Sequence, residues 1–178
     1  MAGYQAGDFA AATALINRVG PQLHRFFVAQ SASRADADDL LQETWLRIHK
    51  VRHTYRPGEP ALPWFYAIAR HVRVDHYRKL VRTSAREQKL DDLPDIPASH
   101  VDEPGHAARL DELLAPLPES QREVIEMLKV AEMSLEEVAR ATSSTIGSVK
   151  QKVHRAYEKL RRTIAEAEAK KSRSGALL

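Results

Sequence analysis

Residues 134–156, SLEEVARATSSTIGSVKQKVHRA, have the pattern of two short helices joined by a polar turn. Ser134 and Glu137 have the Ser-x-x-Glu spacing of a capping box, which predicts that a helix begins there. The polar run Thr142-Ser-Ser-Thr145 then interrupts the apolar pattern. That pattern resumes at spacings of three and four residues, at Ile146, Val149 and Val153. The segment therefore predicts a helix-turn-helix.

The second helix of this pair is strongly basic. Residues 146–162 contain six Lys or Arg and one acid, Glu158, whereas residues 119–137 contain two bases and six acids. A solvated helix usually mixes its charges. Positive charge concentrated along one helix is what a phosphate-facing recognition helix needs. The pattern therefore favours nucleic-acid binding over an exposed basic helix in an ordinary bundle.

Composition indicates a soluble helical protein. The chain has 178 residues, of which 6% are aromatic and 29% charged, and no cysteine. The absence of cysteine excludes disulfides and thiolate metal sites and is consistent with the cytoplasm. The sequence has no apolar run of about 18 residues and its N-terminus has no secretory signal pattern. We therefore predict a cytoplasmic protein that does not insert into a membrane.

Charge divides the chain into three parts. Residues 1–85 hold 12 basic and 7 acidic groups, residues 86–115 hold 3 and 8, and residues 116–178 hold 12 and 9. The acidic middle part is rich in proline and has no sustained periodicity, which is typical of a flexible linker. We predict an all-α protein of two small helical domains. The predicted boundaries are residues 1–85, a linker over 86–105, a second domain over 106–168 and a disordered tail over 169–178.

Three long helices are predicted in the first domain, over residues 8–30, 36–52 and 60–82. Gly20-Pro21 is a candidate break within the first of them. The second helix carries an acidic patch, and its charge alone favours a solvated face. The patch consists of Asp39, Gln42 and Glu43.

The third helix combines aromatic and basic residues. Residues 60–83 contain five bases and one acid, Asp75. Aromatic rings stack on unpaired bases and cationic side chains neutralise phosphates, so the combination predicts a surface for single-stranded nucleic acid. The structural alternative is that the aromatic residues fill the core, and for Trp64 the sequence leaves both roles open.

Histidines at helical spacing raise the alternative of a metal-dependent hydrolase. They are His49, His53, His71 and His76. None of them forms a His-Glu-x-x-His motif, and no third ligand is evident. The sequence has no glycine-rich phosphate loop and no nucleophile with an adjacent base. It therefore predicts no metal, no cofactor and no enzymatic activity.

Three motifs, in this order, resemble the bacterial RNA polymerase sigma factors, and specifically their extracytoplasmic-function (ECF) group. They are ADDLLQETWLRI at residues 37–48, PWFYAIARHVRVDHYR at residues 63–78, and LPESQREV at residues 117–124 followed by the helix-turn-helix. The resemblance spans roughly residues 8–165 and includes the acidic linker.

The resemblance implies three groups of functional residues. Asp39, Gln42 and Glu43 match the Asp-x-x-Gln-Glu pattern that docks on core RNA polymerase, which reverses the interpretation from charge alone. The positions that match contacts to the minus-ten promoter element are Trp64, Arg70, His71, Arg73, His76, Arg78 and Lys79. The positions that match contacts to the minus-thirty-five element are Ser148, Lys150, Gln151, His154 and Arg155.

Two departures from the family pattern affect these expectations. His71 stands where the family commonly has Asn, near the captured base, so the preferred minus-ten base is open. The turn has Thr142-Ser143-Ser144 where the family usually has Leu-Gly-apolar. Ser143 then needs a left-handed backbone without the freedom of glycine, and Ser144 removes an apolar anchor. We expect a less stable turn, or one of altered geometry, with the fold retained.

The resemblance also implies a division of labour and a set of partners. The first domain would hold core RNA polymerase and trap a base extruded from melted promoter DNA, while the second would read duplex DNA. Family members are typically silenced by an anti-sigma factor, which is often membrane-bound. The main alternative is a stand-alone helix-turn-helix regulator, which would bind duplex DNA without polymerase.

Overall fold

The computed structural model describes residues 1–31, 33–87 and 113–175. Its helices are α1 (Ala2–Gln5), α2 (Phe9–Val28), α3 (Arg34–Val51), a 3₁₀ turn (Arg52–Thr54), α4 (Ala61–Glu87), α5 (Glu119–Lys129), α6 (Leu135–Ala141) and α7 (Ile146–Gly175). The predicted all-α class is confirmed. From residue 88 onward, the predicted acidic linker lies outside the described residues.

The N-terminal lobe is built from α2, α3 and α4, which pack around buried aromatic and aliphatic side chains. The largest of its fully buried side chains are Leu23, Phe26, Phe27, Ile48, Phe65 and Tyr66. Asp8 begins α2 by accepting hydrogen bonds from the N–H groups of Ala10 and Ala11, and Ser33 begins α3 by accepting one from Asp36. These caps set where the two helices start.

No break occurs at Gly20-Pro21, because α2 continues through both residues. Proline removes one backbone donor, but the buried face of α2 lies on both sides of it, with Val19 and Leu23 both inside the core. Gly20 is also buried, and a side chain there would point towards the Trp45 ring. Packing against α3 therefore holds the helix together where local propensity predicts an interruption.

The C-terminal lobe contains α5, α6 and α7, and its predicted capping box is present. The Ser134 hydroxyl accepts the N–H of Glu137, and the Glu137 carboxylate accepts the N–H of Ser134. The last helix, α7, continues through residues 169–175, which the sequence assigns to a disordered tail. The run from Ala165 to Lys171 consists only of Ala, Glu and Lys, which are strong helix formers.

The two lobes pack against each other. One apolar cluster runs from the N-terminal lobe, including Val72 of α4, to Met127 and Val138 of the C-terminal lobe. The helices in closest contact across this boundary are α4 and α6. A second, smaller cluster lies beneath α7 and comprises Leu114, Leu117, Ile125, Ala156 and Leu160. The sequence predicted two lobes, but it gave no indication that they share a core.

Candidate nucleic-acid interface

The five residues predicted to contact the minus-thirty-five element lie on the outward side of α7. Val149 and Ala156, which are fully buried, mark its inward side. At about 100° per residue, the five predicted positions fall within an arc of about 160° on the opposite side. Four of them are exposed and Ser148 is half-buried. The set consists of Ser148, Lys150, Gln151, His154 and Arg155.

Polar side chains shape the turn that leads into this helix. The backbone of Ser143 is left-handed, with φ of 50°, as the sequence predicts. The Thr142 hydroxyl donates to the carbonyl of Val138 at 2.8 Å and lies 2.8 Å from the hydroxyl of Ser144. The hydroxyl of Thr145 accepts the N–H of Ser148 at 3.1 Å and so caps the start of α7. Hydroxyl groups thus stabilise a turn for which the resemblance predicts glycine and an apolar anchor.

On α4, four of the residues predicted to contact the minus-ten element face solvent fully or in part. His71, Arg78 and Lys79 are exposed, and His76 is half-buried. The neighbouring Asp75 accepts a hydrogen bond from Arg47 at 2.8 Å. This bond, together with nearby positive charge, holds the pKa of Asp75 below its ordinary value. The single acid in this stretch is therefore paired with a base of α3.

Two other predicted contacts, Arg70 and Arg73, face the C-terminal lobe. The Nε atom of Arg70 lies 3.0 Å from a carboxylate oxygen of Glu123, and Arg73 forms an ion pair with Glu119. The Glu123 side chain is only 3% exposed. Burial raises the pKa of Glu123, and the positive charge of Arg70 opposes that shift. The structure therefore does not place these two arginines with the exposed cations of α4.

Trp64 belongs to the core in part, and its contact with nucleic acid stays a prediction. Its ring packs at 5.3 Å from the Phe65 ring and at 5.7 Å from the Tyr55 ring, so it contributes to the core. It is half-buried, and it also lines a cavity of about 350 Å³ between the lobes, with Arg140 among the other lining residues. Of the other aromatic residues of α4, Tyr66 is buried and Tyr77 is exposed.

The acidic patch on α3 is exposed at all three of its positions, Asp39, Gln42 and Glu43. Gln42 also lines a mainly apolar groove of about 520 Å³ between α2 and α3. Among the groove residues, Phe9 is 84% exposed and Leu46 is 61% exposed. The surface therefore combines charged and apolar groups, a composition suited to a protein interface.

Comparisons match both lobes to one family. The model described as Sigma-70 region 2 matches residues 15–83, and that described as Sigma-70, region 4 matches residues 107–160. The ECF RNA polymerase sigma factor SigF of Caulobacter vibrioides is 32% identical over 163 residues, which cover 91% of this chain and 90% of that protein. The RNA polymerase sigma factor CarQ of Myxococcus xanthus is 30% identical over 162 residues, which cover 89% and 92%. The chain belongs to the ECF RNA polymerase sigma factors.

Solved structures of sigma factors share its fold. The sigma factor RpoE from Bartonella quintana, solved in complex with the anti-sigma factor NepR, has a TM-score of 0.71 and 23% identity. The match covers 87% of this chain and 97% of that one. CnrH, solved in complex with the cytosolic domain of CnrY, has a TM-score of 0.68 and 24% identity, with coverages of 90% and 92%.

Sequence reasoning about this sigma factor missed the acidic residues that face α4. They belong to α5 and include Glu119, Glu123 and Glu126, the last two of which are buried. The sequence did contain a signal of opposite charge, since residues 119–137 contain six acids and residues 60–83 contain five bases. Opposite charge on two helices does not by itself show that they meet, so the pairing emerges only from the packing of the lobes.

The family assignment favours a sigma factor over the two rival hypotheses, a stand-alone regulator and a metal-dependent hydrolase. Of the four histidines considered as ligands, His49 lies 3.3 Å from the Tyr4 hydroxyl through its Nδ1 atom. In the part of this sigma factor that the structure describes, no three His, Asp or Glu side chains are grouped so as to hold a metal ion. Within the same part, no helix is both long enough and apolar enough to span a membrane.

Proposed function

We propose that this sigma factor docks on core RNA polymerase through Asp39, Gln42 and Glu43 and reads two promoter elements with its two lobes. The observation that carries the proposal is the outward face of α7, where polar and basic side chains project from a helix whose start is fixed by Thr145. Such a helix fits the major groove, where arginine and glutamine form paired hydrogen bonds with base edges.

The exposed cations of α4 would act on the melted minus-ten element. Arg78 and Lys79 would neutralise phosphates of the separated strand, and His71 and Trp64 would contact an extruded base. Interactions made only with open DNA shift the equilibrium towards strand separation. The protein would thus promote initiation by binding in the cytoplasm, without a cofactor and without catalysing a reaction.

An anti-sigma factor is the proposed regulatory partner. Bartonella quintana RpoE was solved with the anti-sigma factor NepR. The exposed patch and groove of α3 offer such a factor the same surface that polymerase would use, so the two partners would compete. The family resemblance implies that anti-sigma factors are often membrane-bound.

Transcription of genomic DNA fragments by core polymerase, with and without the purified chain, tests the proposed function. We expect the chain to add discrete start sites that share two sequence elements at constant spacing. Arg155→Ala should weaken use of these sites, whereas core polymerase alone should not use them. A chain that protects duplex DNA equally well without polymerase and adds no start sites would contradict the proposal.

A further inference from the structure

The short helix α1 is hydrogen-bonded to the α3–α4 loop, which consists of residues 52–60. The side-chain amide of Gln5 donates to the carbonyl of Arg52 at 2.7 Å and to the carbonyl of Tyr55 at 2.9 Å. Carbonyl oxygens only accept hydrogen bonds, so the two N–H bonds of the amide face them. The two partners lie 47 and 50 positions further along the chain. One side chain therefore fixes the backbone of the loop at two points.

Helix α1 is itself held against the lobe, so Gln5 reaches the loop from a fixed position. Tyr4 is only 7% exposed and belongs to the main apolar cluster. Its hydroxyl lies 3.3 Å from the Nδ1 atom of His49 in the last turn of α3. The N–H of Asp8 donates to the carbonyl of Gly3 at 2.9 Å, and the Asp8 carboxylate caps α2. Contacts with both α2 and α3 thus set the place of α1.

The α3–α4 loop in turn packs on Trp64 near the start of α4. The ring of Tyr55 lies 5.7 Å from the Trp64 ring in an edge-to-face arrangement, and Tyr55 is only 7% exposed. The Tyr55 hydroxyl donates to the carbonyl of Glu59, which closes the loop on itself. The loop residues that line the cavity beside Trp64 are Thr54, Tyr55, Arg56, Glu59 and Pro60. Gln5 therefore holds the backbone of the residue whose ring packs on Trp64.

We propose that Gln5 is a positioning residue for recognition of the minus-ten element and that it acts through the α3–α4 loop and Trp64. This inference rests on the proposed function, in which Trp64 contacts an extruded base. A loop that samples several conformations presents Trp64 correctly for only a fraction of the time, and the apparent affinity for the base falls by that fraction. Helix α1 lies outside the three motifs of the family resemblance and before residue 15, where the match to Sigma-70 region 2 begins.

Fluorescence of Trp64 in the free protein tests whether Gln5 holds the loop. The chain has two tryptophans, so Trp45→Phe leaves Trp64 as the only one. In this background, Gln5→Met keeps a side chain of similar length and removes both donors. The acrylamide quenching constant should rise by at least about twofold, because local opening of the loop exposes the half-buried Trp64 ring. Gln22→Met, which removes a half-buried amide from α2, is the control and should leave the constant unchanged.

Base preference of the polymerase complex tests the consequence for promoter recognition. The probe is a promoter found by transcription of genomic fragments, made single-stranded over the non-template minus-ten element and varied one base at a time. With Trp45 retained, Gln5→Met should reduce discrimination between minus-ten bases by at least about fivefold, since each lost hydrogen bond changes an equilibrium by roughly a factor of 2–10. Preference at the minus-thirty-five element should not change. A variant that is merely less stable would lose affinity for all sequences alike.

A donor restored at position 5 separates hydrogen bonding from the packing of α1. Gln5→Lys supplies an ammonium group that donates to carbonyls, and it should recover most of the lost discrimination. Gln5→Met/Ala6→Lys adds the same charge at an exposed neighbouring position and should recover none of it. Equal behaviour of Gln5→Lys and Gln5→Met would assign the effect to packing and overturn the inference.

The two measurements separate this inference from the function on which it rests. Unchanged minus-ten discrimination by Gln5→Met would overturn the positioning role, even if quenching shows that the loop is released. An equal loss at both promoter elements would also overturn it. Failure of the proposed function has a different signature, because the natural protein would then confer no base preference on polymerase, whatever the quenching of Trp64.

Discussion

The backbone of Ser143 is left-handed, a conformation that a residue with a Cβ atom disfavours. Backbone hydrogen bonds at the turn hold Ser143 in this conformation. For a residue with a Cβ atom, this conformation costs about 1–2 kcal/mol. The N–H of Ser143 donates to the carbonyl of Arg140, and the N–H of Ser144 donates to that of Ala139 at 2.9 Å. These bonds use carbonyls at the end of α6 that would otherwise lack partners. The turn therefore keeps its shape without glycine.

Replacing Ser143 with glycine should stabilise the protein by about 1 kcal/mol, because glycine adopts a positive φ without steric penalty. The measurement is the urea midpoint of the full chain. Ser120→Gly, at an exposed position within α5, is the control and should lower the midpoint, because glycine weakens a helix. A lower midpoint for Ser143→Gly would show that its hydroxyl matters more than its backbone.

Arg155 lies where α7 would face DNA, so its replacement separates base reading from phosphate contact. If Arg155 reads a base, Arg155→Ala should weaken binding to the minus-thirty-five element by about 1–3 kcal/mol and relax specificity at one position. The readout is the affinity of the polymerase complex for promoters that vary at each position. Arg161→Ala, six residues and about 9 Å further along the same helix, is the control. A loss that is uniform across sequences, with a smaller salt dependence, would assign Arg155 to a phosphate instead.

Helix α3 presents charged and apolar groups to solvent side by side, which makes it the strongest candidate for polymerase docking. Gln42→Ala/Glu43→Lys should abolish binding to core polymerase, because it removes an amide and reverses a charge on an exposed surface. The stability of the protein should change by no more than about 0.5 kcal/mol, since both side chains are exposed. Binding is measured by co-elution with core polymerase and stability by urea unfolding.

The control for this pair is Glu132→Lys, which makes the same charge change at an exposed position of the C-terminal lobe. The backbone of Glu132 also has a positive φ, but Lys and Glu tolerate it equally, so the substitution adds no strain. Polymerase binding should survive it. Retention of binding by the α3 variant would remove the docking assignment.

Burial of Glu123 in α5 should make stability depend on pH. Its pKa is raised in the folded state, so the folded protein binds this proton more tightly than the unfolded chain. The stabilisation is complete below the unfolded pKa, near 4.5, and is lost as the pH rises through the raised pKa. As the pH rises through this range, the urea midpoint of the natural protein should therefore fall relative to the midpoint of Glu123→Gln.

Exposed Glu132→Gln is the control and should follow the natural protein at every pH. Parallel profiles for the natural protein and Glu123→Gln would show that the Arg70 charge cancels the effect of burial.

Local patterns predicted the elements well, and packing between elements explains what they missed. The capping box at Ser134 and the outward face of α7 follow from residue spacing within a few turns, so the sequence alone predicted both. The continuity of α2 through Pro21 depends on its contact with α3, and the Arg70–Glu123 pair joins residues 53 positions apart. Such contacts depend on how the lobes meet, which the periodicity of each helix does not specify.

The two lobes form a single packed unit in the described residues, because their apolar side chains make one cluster. Cutting the chain between them should therefore not separate them. A tobacco etch virus protease site inserted within residues 86–105 allows a single cleavage, after which we expect both fragments to co-elute in gel filtration. High salt should leave them together, because it screens the ion pairs but not the apolar contact, whereas urea should separate them. Separate elution at low salt would show that the shared core contributes little.

The shielding of Arg70 and Arg73 bears on where the molecule resides between rounds of transcription. A genome offers about 10⁶–10⁹ nonspecific binding sites, and the affinity for such sites grows with the number of phosphates that a protein neutralises. With these two arginines paired internally, the free protein has fewer cations available for phosphates, so we expect nonspecific DNA to retain less of it. A larger share of the pool then diffuses freely until it encounters polymerase. The carboxylates of α5 thereby lower the number of cations that the free protein presents to any polyanion.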